Sequence, residues 1–297
     1  MGSFENRIIM NFRGYINMMN NFALDKIIRH GLEEDIGNGD ITTLSTVSEE
    51  KTISGSFIAK EAGVICGLPV LVRVFEILDA SIIVELKINE GDLVKKGDLI
   101  ARISGSARSI LTGERVALNF LQRLSGIATR TRLAVEQISG TGAVIADTRK
   151  TTPGLRIVEK YAVRIGGGSN HRFNLADGIL IKDNHIRAAG GIQAAISCAC
   201  KMAPHTLKIE VEVETFEQIQ QALDSKADII MLDNMSNEDM AKAVVLINGR
   251  SLVEASGNMG DKDLRTVALT GVDIISIGAL THTVDAMDIS LRFDLTV

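Results

Sequence analysis

From residue 143 onward, short apolar runs return at intervals of about 20–35 residues: AVIA (143–146), GILI (178–181), LKIEVEV (207–213), DIIML (228–232), SLVEA (251–255) and DIISI (273–277). Helix-like segments lie between the later ones, at 191–203, 215–225, 237–247 and 261–269. Apolar runs without strict alternation, spaced by helices, call for a parallel sheet covered by helices. Six strands in about 150 residues fall short of the roughly 250 residues of a full eight-unit barrel. The expected fold class is therefore α/β, with an incomplete barrel of about six or seven strands in this half. An open doubly wound sheet is the alternative, although no G-x-G-x-x-G opens the first unit.

The N-terminal third is mixed α/β. A helix beginning at Ala23 is expected to end near Gly31, GSFIAKEAGVICG alternates like a strand, and LPVLVRVFEILD has helical period. Gly91-Asp92 and Gly97-Asp98 are turn signals. The stretch around them resembles the hairpin of biotinyl and lipoyl carrier domains. Lys95 and Lys96 only lie near a tip, so a structural hairpin is the reading. Further on, Val116, Phe120, Leu121 and Leu124 repeat at helical spacing.

Composition narrows the function classes. A chain of 297 residues suggests two domains or one large one. A net charge of −5 argues against a nucleic-acid binder. Three cysteines are too few and odd in number for a disulfide framework, so a reducing, cytoplasmic setting is expected. Cys198-Ala-Cys200 lacks zinc-site spacing and reads as buried helix packing. No apolar run approaches the roughly 20 residues of a membrane span. Residues 1–20 read as an extension without chemistry: Asn6 stands where myristoylation wants Ser or Thr, and Met18 and Met19 are alternative starts.

Charge is unevenly distributed. Residues 147–187 hold eight Lys or Arg against four acids, whereas 210–263 hold twelve acids against four bases. The first stretch suits anions and the second a cation or a positive intermediate. What ends each apolar run is also polar or small: Asp147-Thr148-Arg149-Lys150, Lys182-Asp183-Asn184-His185, Asp233-Asn234, Ser256-Gly257-Asn258 and Gly278-Ala279-Leu280. Barrel active sites lie at the C-terminal strand ends. Glu210, Glu212 and Glu214 share one strand parity; with Val211 and Val213 against helices, the carboxylates point inward. There they need cationic partners, from Arg149, Lys150, Arg172, Lys182 or Mg²⁺. Ser256-Gly257-Asn258 and Gly278 are small enough to offer backbone N–H groups to a phosphate. The loop from Arg164 to Arg172 is Gly-rich but no Walker A loop. Several cations at one rim predict a substrate with more than one negative group.

GERVALNFLQRLSGIAT, DTRKTTPGLRIVEKYAVRIGGGSNHRFNLADGILIKDNH, EVEVET, MLDNM, VEASGN and SIGALTHT, in that order, resemble the quinolinate phosphoribosyltransferase family. Glu34 to Thr43 carries a matching E-D-x-G-x-G-D-x-T-T signature, and the likeness runs from about residue 22 to 293. It implies an N-terminal α/β sandwich domain (21–126), a barrel catalytic domain (127–288) and a C-terminal segment (289–297) packing back on the first domain. It also implies a cytoplasmic homodimer in which one subunit's N-terminal domain covers the other's barrel mouth. The implied reaction is quinolinate plus phosphoribosyl pyrophosphate giving nicotinate mononucleotide, CO₂ and pyrophosphate, with Mg²⁺. Arg149, His171, Arg172 and Lys182 resemble the quinolinate-binding cluster, with Arg115 reaching in from the neighbouring subunit. Lys150, Glu212 and Asp233 resemble the catalytic group around pyrophosphate and ribose, Glu212 and Asp233 being the metal ligands. Ser256, Gly257, Gly278 and His282 resemble the 5′-phosphate end. Asn258 departs from relatives with a second Gly, and Asn tolerates left-handed backbone angles. A paralogue acting on another heterocycle, a Schiff-base aldolase using Lys182 and a non-catalytic binding module, which would leave the charged rim without use, are the competing readings.

Overall fold

The computed structural model describes residues 21–294, so the reading of residues 1–20 and the last part of segment 289–297 lie outside the described residues. The chain divides into two compact units. One holds residues up to Thr129, Ile157–Ile165 and the stretch from Asp285; the other holds Arg130–Arg156 and Gly166–Val284.

In the first unit, helices Asn21–Ile36 and Leu68–Leu78 accompany β1 (Thr52–Ala59), β2 (Gly63–Val64), β3 (Ile83–Leu86), β4 (Leu93–Val94) and β5 (Leu99–Ser106). A helix of 31 residues, Ala107–Gln137, follows. The C-terminal strand Ile289–Phe293 pairs antiparallel with β1, giving a four-stranded sheet in the order C-terminal strand, β1, β5, β3. Alternation along β1 buries Gly55, Phe57 and Ala59. Phe57 meets Phe75 with ring centroids 6.4 Å apart, an aromatic contact within the preferred range.

The first helix continues past Gly31, contrary to expectation. Leu24, Ile28 and Leu32 form its buried stripe, and Gly31 lies against Val116 and Phe120 of the long helix. The missing side chain there serves close helix packing, and the chain leaves the helix only at Gly37. The helix Leu68–Leu78 opens at Gly67, whose φ of 106° favours glycine and which has no side chain to cap with. Glu90 caps instead, accepting from the N–H groups of Gly67 (2.6 Å) and Leu68 (2.9 Å). Burial raises the Glu90 carboxyl above its ordinary range, against those hydrogen bonds.

The helix Arg156–Ile165 was not legible in the sequence. It buries Glu159, Lys160 and Tyr161 beside its apolar residues, so polar residues hide its period. Glu159 is paired with Arg123 at 2.6 Å, within the first unit.

The second unit carries β6 (Val144–Ala146), β7 (Ile179–Ile181), β8 (Ile209–Val213), β9 (Ile229–Asp233), β10 (Leu252–Ser256) and β11 (Ile274–Ser276). They form one parallel sheet in the order β6-β11-β10-β9-β8-β7. Ser169 adds an isolated parallel bridge to Ala146. Helices Ile192–Met202, Phe216–Asp224 and Asn237–Ile247 separate the strands, as the chain pattern demands. This is the incomplete α/β barrel, and the fold class holds. Cys198 and Cys200 are a correction: both are exposed, because the helix carrying them buries a stripe of Ile192, Ala195 and Ile196 instead. Among the described residues all three cysteines are free.

Candidate active site

Strand register decides what faces the barrel interior. Glu212 pairs with Met231, Met231 with Glu254 and Asp233 with Ser256, so these residues share one face, joined by Glu210 and Ser276. Val211 and Val213 are buried on the other. The inward parity expected for Glu210 and Glu212 is therefore observed. Glu214 lies beyond the strand end and is exposed.

At the C-terminal strand ends, a cavity of about 210 Å³ is lined by Thr148, Arg149, Lys150, His171, Arg172, Lys182, Met231, Glu254, Ser256 and Ser276, with Leu180. Four of the cationic residues named from sequence, and His171, thus meet at one place. Lys182 pairs with Glu212, one of the partners foreseen for that carboxylate. This arrangement speaks against a Schiff-base role for Lys182, which would need an amine kept away from anions. Arg172 is held by a hydrogen bond to the Gly178 carbonyl at 2.8 Å. Its pKa is lowered from the ordinary arginine value, first by burial and then by the neighbouring Arg149 charge. Two guanidinium groups lining one cavity suit an anion.

The loop bearing His171 is fixed from β6. Asp147, fully buried, accepts from the His171 N–H at 2.9 Å and from Asn170 Nδ2 at 2.6 Å. His171 Nδ1 accepts the Arg172 N–H at 2.9 Å, leaving Nε2 to face Glu210 at 3.1 Å and Glu254 at 3.6 Å. Ser276 donates to Glu254. Glu254 and Ser276 were missed from sequence; the available signal was strand parity, since Glu254 stands two residues before Ser256 on the same face.

The small-residue end also assembles. Gly257 has φ 96°, and a Cβ there would lie 2.7 Å from the backbone N of Asn234, so only glycine fits. Asn258 adopts φ 52°, ψ 30°, the left-handed conformation expected of it. Lys150 passes over Gly278, where a Cβ would stand 2.9 Å from Lys150 Cδ and 3.2 Å from His282. Thr281 donates to the Lys150 carbonyl at 2.8 Å. Asp233 accepts from Asn234 Nδ2 at 2.7 Å and borders an acidic hollow with Glu214 and Asp239. Arg115 lies in the first unit, exposed on the long helix.

Known proteins match most of this chain. The family model described as "Quinolinate phosphoribosyl transferase, N-terminal domain" covers residues 40–125, and "Quinolinate phosphoribosyl transferase, C-terminal domain" covers 127–292. A Bacillus subtilis (strain 168) protein named probable nicotinate-nucleotide pyrophosphorylase, carboxylating, is 45% identical over 278 residues, 94% of this chain and 96% of that protein. The chloroplastic protein of that name from Arabidopsis thaliana is 43% identical, over 92% of this chain and 83% of its own. The solved nicotinate-nucleotide pyrophosphorylase of Francisella tularensis superposes with a TM-score of 0.89 at 42% identity, covering 93% of this chain and 98% of that one. With its charged strand-end cavity and both domains matched, the chain belongs to the quinolinate phosphoribosyltransferase family of enzymes.

Proposed function

We propose that the chain transfers the phosphoribosyl group of phosphoribosyl pyrophosphate to quinolinate, giving nicotinate mononucleotide, CO₂ and pyrophosphate in NAD biosynthesis. The carrying observation is the Arg149–Arg172 pair, crowded in a cavity with Lys150, Lys182 and His171. Quinolinate brings two adjacent carboxylates, which answer convergent cations. Loss of pyrophosphate leaves positive charge on the ribose, and Glu212 and Asp233 face the interior where that charge develops. Ser256, Gly257 and Gly278 provide the close backbone approach a 5′-phosphate needs.

The reading includes Mg²⁺. Glu212 and Asp233 offer the hard carboxylate oxygens it takes, one or two at a time beside substrate phosphates. They would hold it, and bound there it neutralises charge on the departing pyrophosphate. The reading also includes a cytoplasmic homodimer with Arg115 donated across the interface. The exposed place of Arg115 and the three free cysteines agree with it, and no described helix is long and apolar enough to cross a membrane.

The first test is purified protein with Mg²⁺ and phosphoribosyl pyrophosphate, given quinolinate or nicotinate. Nicotinate mononucleotide and equimolar CO₂ are expected from quinolinate only; no turnover by folded protein would direct attention to other heterocycles. The dimer is tested by mixing Arg115→Ala with Lys182→Ala protein. Each alone should be nearly inactive, and equal mixing should restore about one quarter of normal activity through hybrid dimers with one whole site. Absence of complementation would place Arg115 outside the shared site.

A further inference from the structure

We propose that Glu254 resupplies His171 with the proton that replaces the carboxylate lost from the substrate ring, making Glu254 a positioning residue for the decarboxylation half of the reaction. The proposal rests on the function given above. Decarboxylation breaks a C–C bond and leaves its electron pair on the ring carbon. That carbon must gain one proton per turnover, and the ribosylated ring nitrogen has none to give.

Few groups at the cavity can supply it. Arginine stays protonated, Lys182 is committed to Glu212, and Lys150 passes over Gly278 beside His282, at the small-residue end of the cavity. His171 takes a hydrogen bond on Nδ1, so its movable proton sits on Nε2. That nitrogen faces Glu210 and Glu254, and the three facing atoms lie within 4.8 Å of one another. Glu210 Oε1, though buried, has no hydrogen-bond partner, so the trio holds an acceptor position for a shared proton.

His171 and Glu254 also stand between two cavities. Above is the substrate cavity. Below, a cavity of about 570 Å³ is bordered by Val144, Ile179, Ile229 and Ile274, the first residues of their strands, and by His171, Glu210 and Glu254. Glu254, 1% exposed itself, is therefore reached from the side opposite the substrate. Burial and the Glu210 charge push its carboxyl up to about 7, against the pull of His171 and Ser276. It is thus an acid with a proton to give near neutral pH. The charged groups that line the two cavities with it are Lys208 and Glu210 at the start of β8, His171, Arg172 and Asp177 from the segment between Ser169 and β7, Lys182 after β7, and Arg149 and Lys150 after β6; β9 and β11 present Met231 and Ser276.

The step balances. CO₂ leaves, the ring carbon takes the Nε2 proton with the electron pair left behind as the Glu254 proton passes to Nε2 in the same event, so that no imidazolate forms, and Glu254 is reprotonated by hydronium or a buffer acid from solvent through the lower cavity.

Single-turnover measurements of pyrophosphate release and CO₂ release test this in wild type and Glu254→Gln. Pyrophosphate release should stay near wild type while CO₂ release slows about 100-fold, the scale of a lost acid catalyst, and the dicarboxylate mononucleotide accumulates. The wild-type CO₂ step should weaken above about pH 7 as Glu254 ionises, a limb absent from the variant. Glu254→Asp should restore part of the CO₂ rate, and it serves as the test variant if Glu254→Gln does not fold. Equal slowing of both steps, or of neither, would overturn the proposal while leaving the assigned reaction intact. Failure of the wild type to release pyrophosphate would overturn both.

Discussion

Lys182→Ala is expected to lower kcat/KM for quinolinate about a thousandfold while the protein remains folded. Lys182 pairs with Glu212 at the ends of adjacent strands and lines the strand-end cavity. Truncating one partner of a charge pair that substrate will cover costs about 2–5 kcal/mol, most of it from the charge left unpaired. Converted to rate, that spans from tens to thousands of fold. The variant also loses a cation from the cluster proposed to hold quinolinate, which sets the expectation toward the upper end. Steady-state kinetics, with Glu212→Gln and the double variant, apportion the effect: the double should fall well short of the product of the singles. A loss below about tenfold would move Lys182 to the edge of the site.

A second large effect concerns stability. Glu254 holds its proton in the folded state up to about pH 7, whereas its ordinary value is 4.5. Between those values the folded state binds more protons than the unfolded one, so stability present below the lower value is lost as pH rises through the upper. At 1.36 kcal/mol per pKa unit the difference is about 3 kcal/mol. Glu254→Gln, which cannot ionise, should gain on the wild type by that order in urea unfolding as pH rises from about 5 to about 8. Asp25, Asp40 and Asp79 are shifted downward by their hydrogen bonds and act with the opposite sign. They are common to both proteins and drop out of the comparison. A difference that stays flat across this range would show that Glu254 titrates near its ordinary value.

Strand positions were legible because an apolar run between polar ends leaves little freedom. The run at 207–213 becomes β8, and its parity places Glu210 and Glu212 inside. Lys182, Ser256 and Gly278 were legible for a related reason: they end strands, and parallel strands bring their C-terminal ends to one rim. Gly31 and Cys198 were misread because local pattern does not reveal what a helix packs on. Gly31 meets Val116 and Phe120, about 85 residues away in sequence. The role of Glu254 was hidden because its partner His171 sits on a loop about 80 residues earlier, with nothing in either neighbourhood naming the other.

By itself the sequence determined the barrel's strand order of appearance, the faces of its strands and the family to which its motifs belong. Periodicity is local chemistry, repeated residue by residue. Tertiary structure alone decided which charges became partners: Lys182 with Glu212, Arg172 beside Arg149, and His171 between two buried carboxylates. Those pairings depend on sheet register and on burial, which strengthens electrostatic interactions and raises the cost of an unpaired charge. Only a folded chain has either.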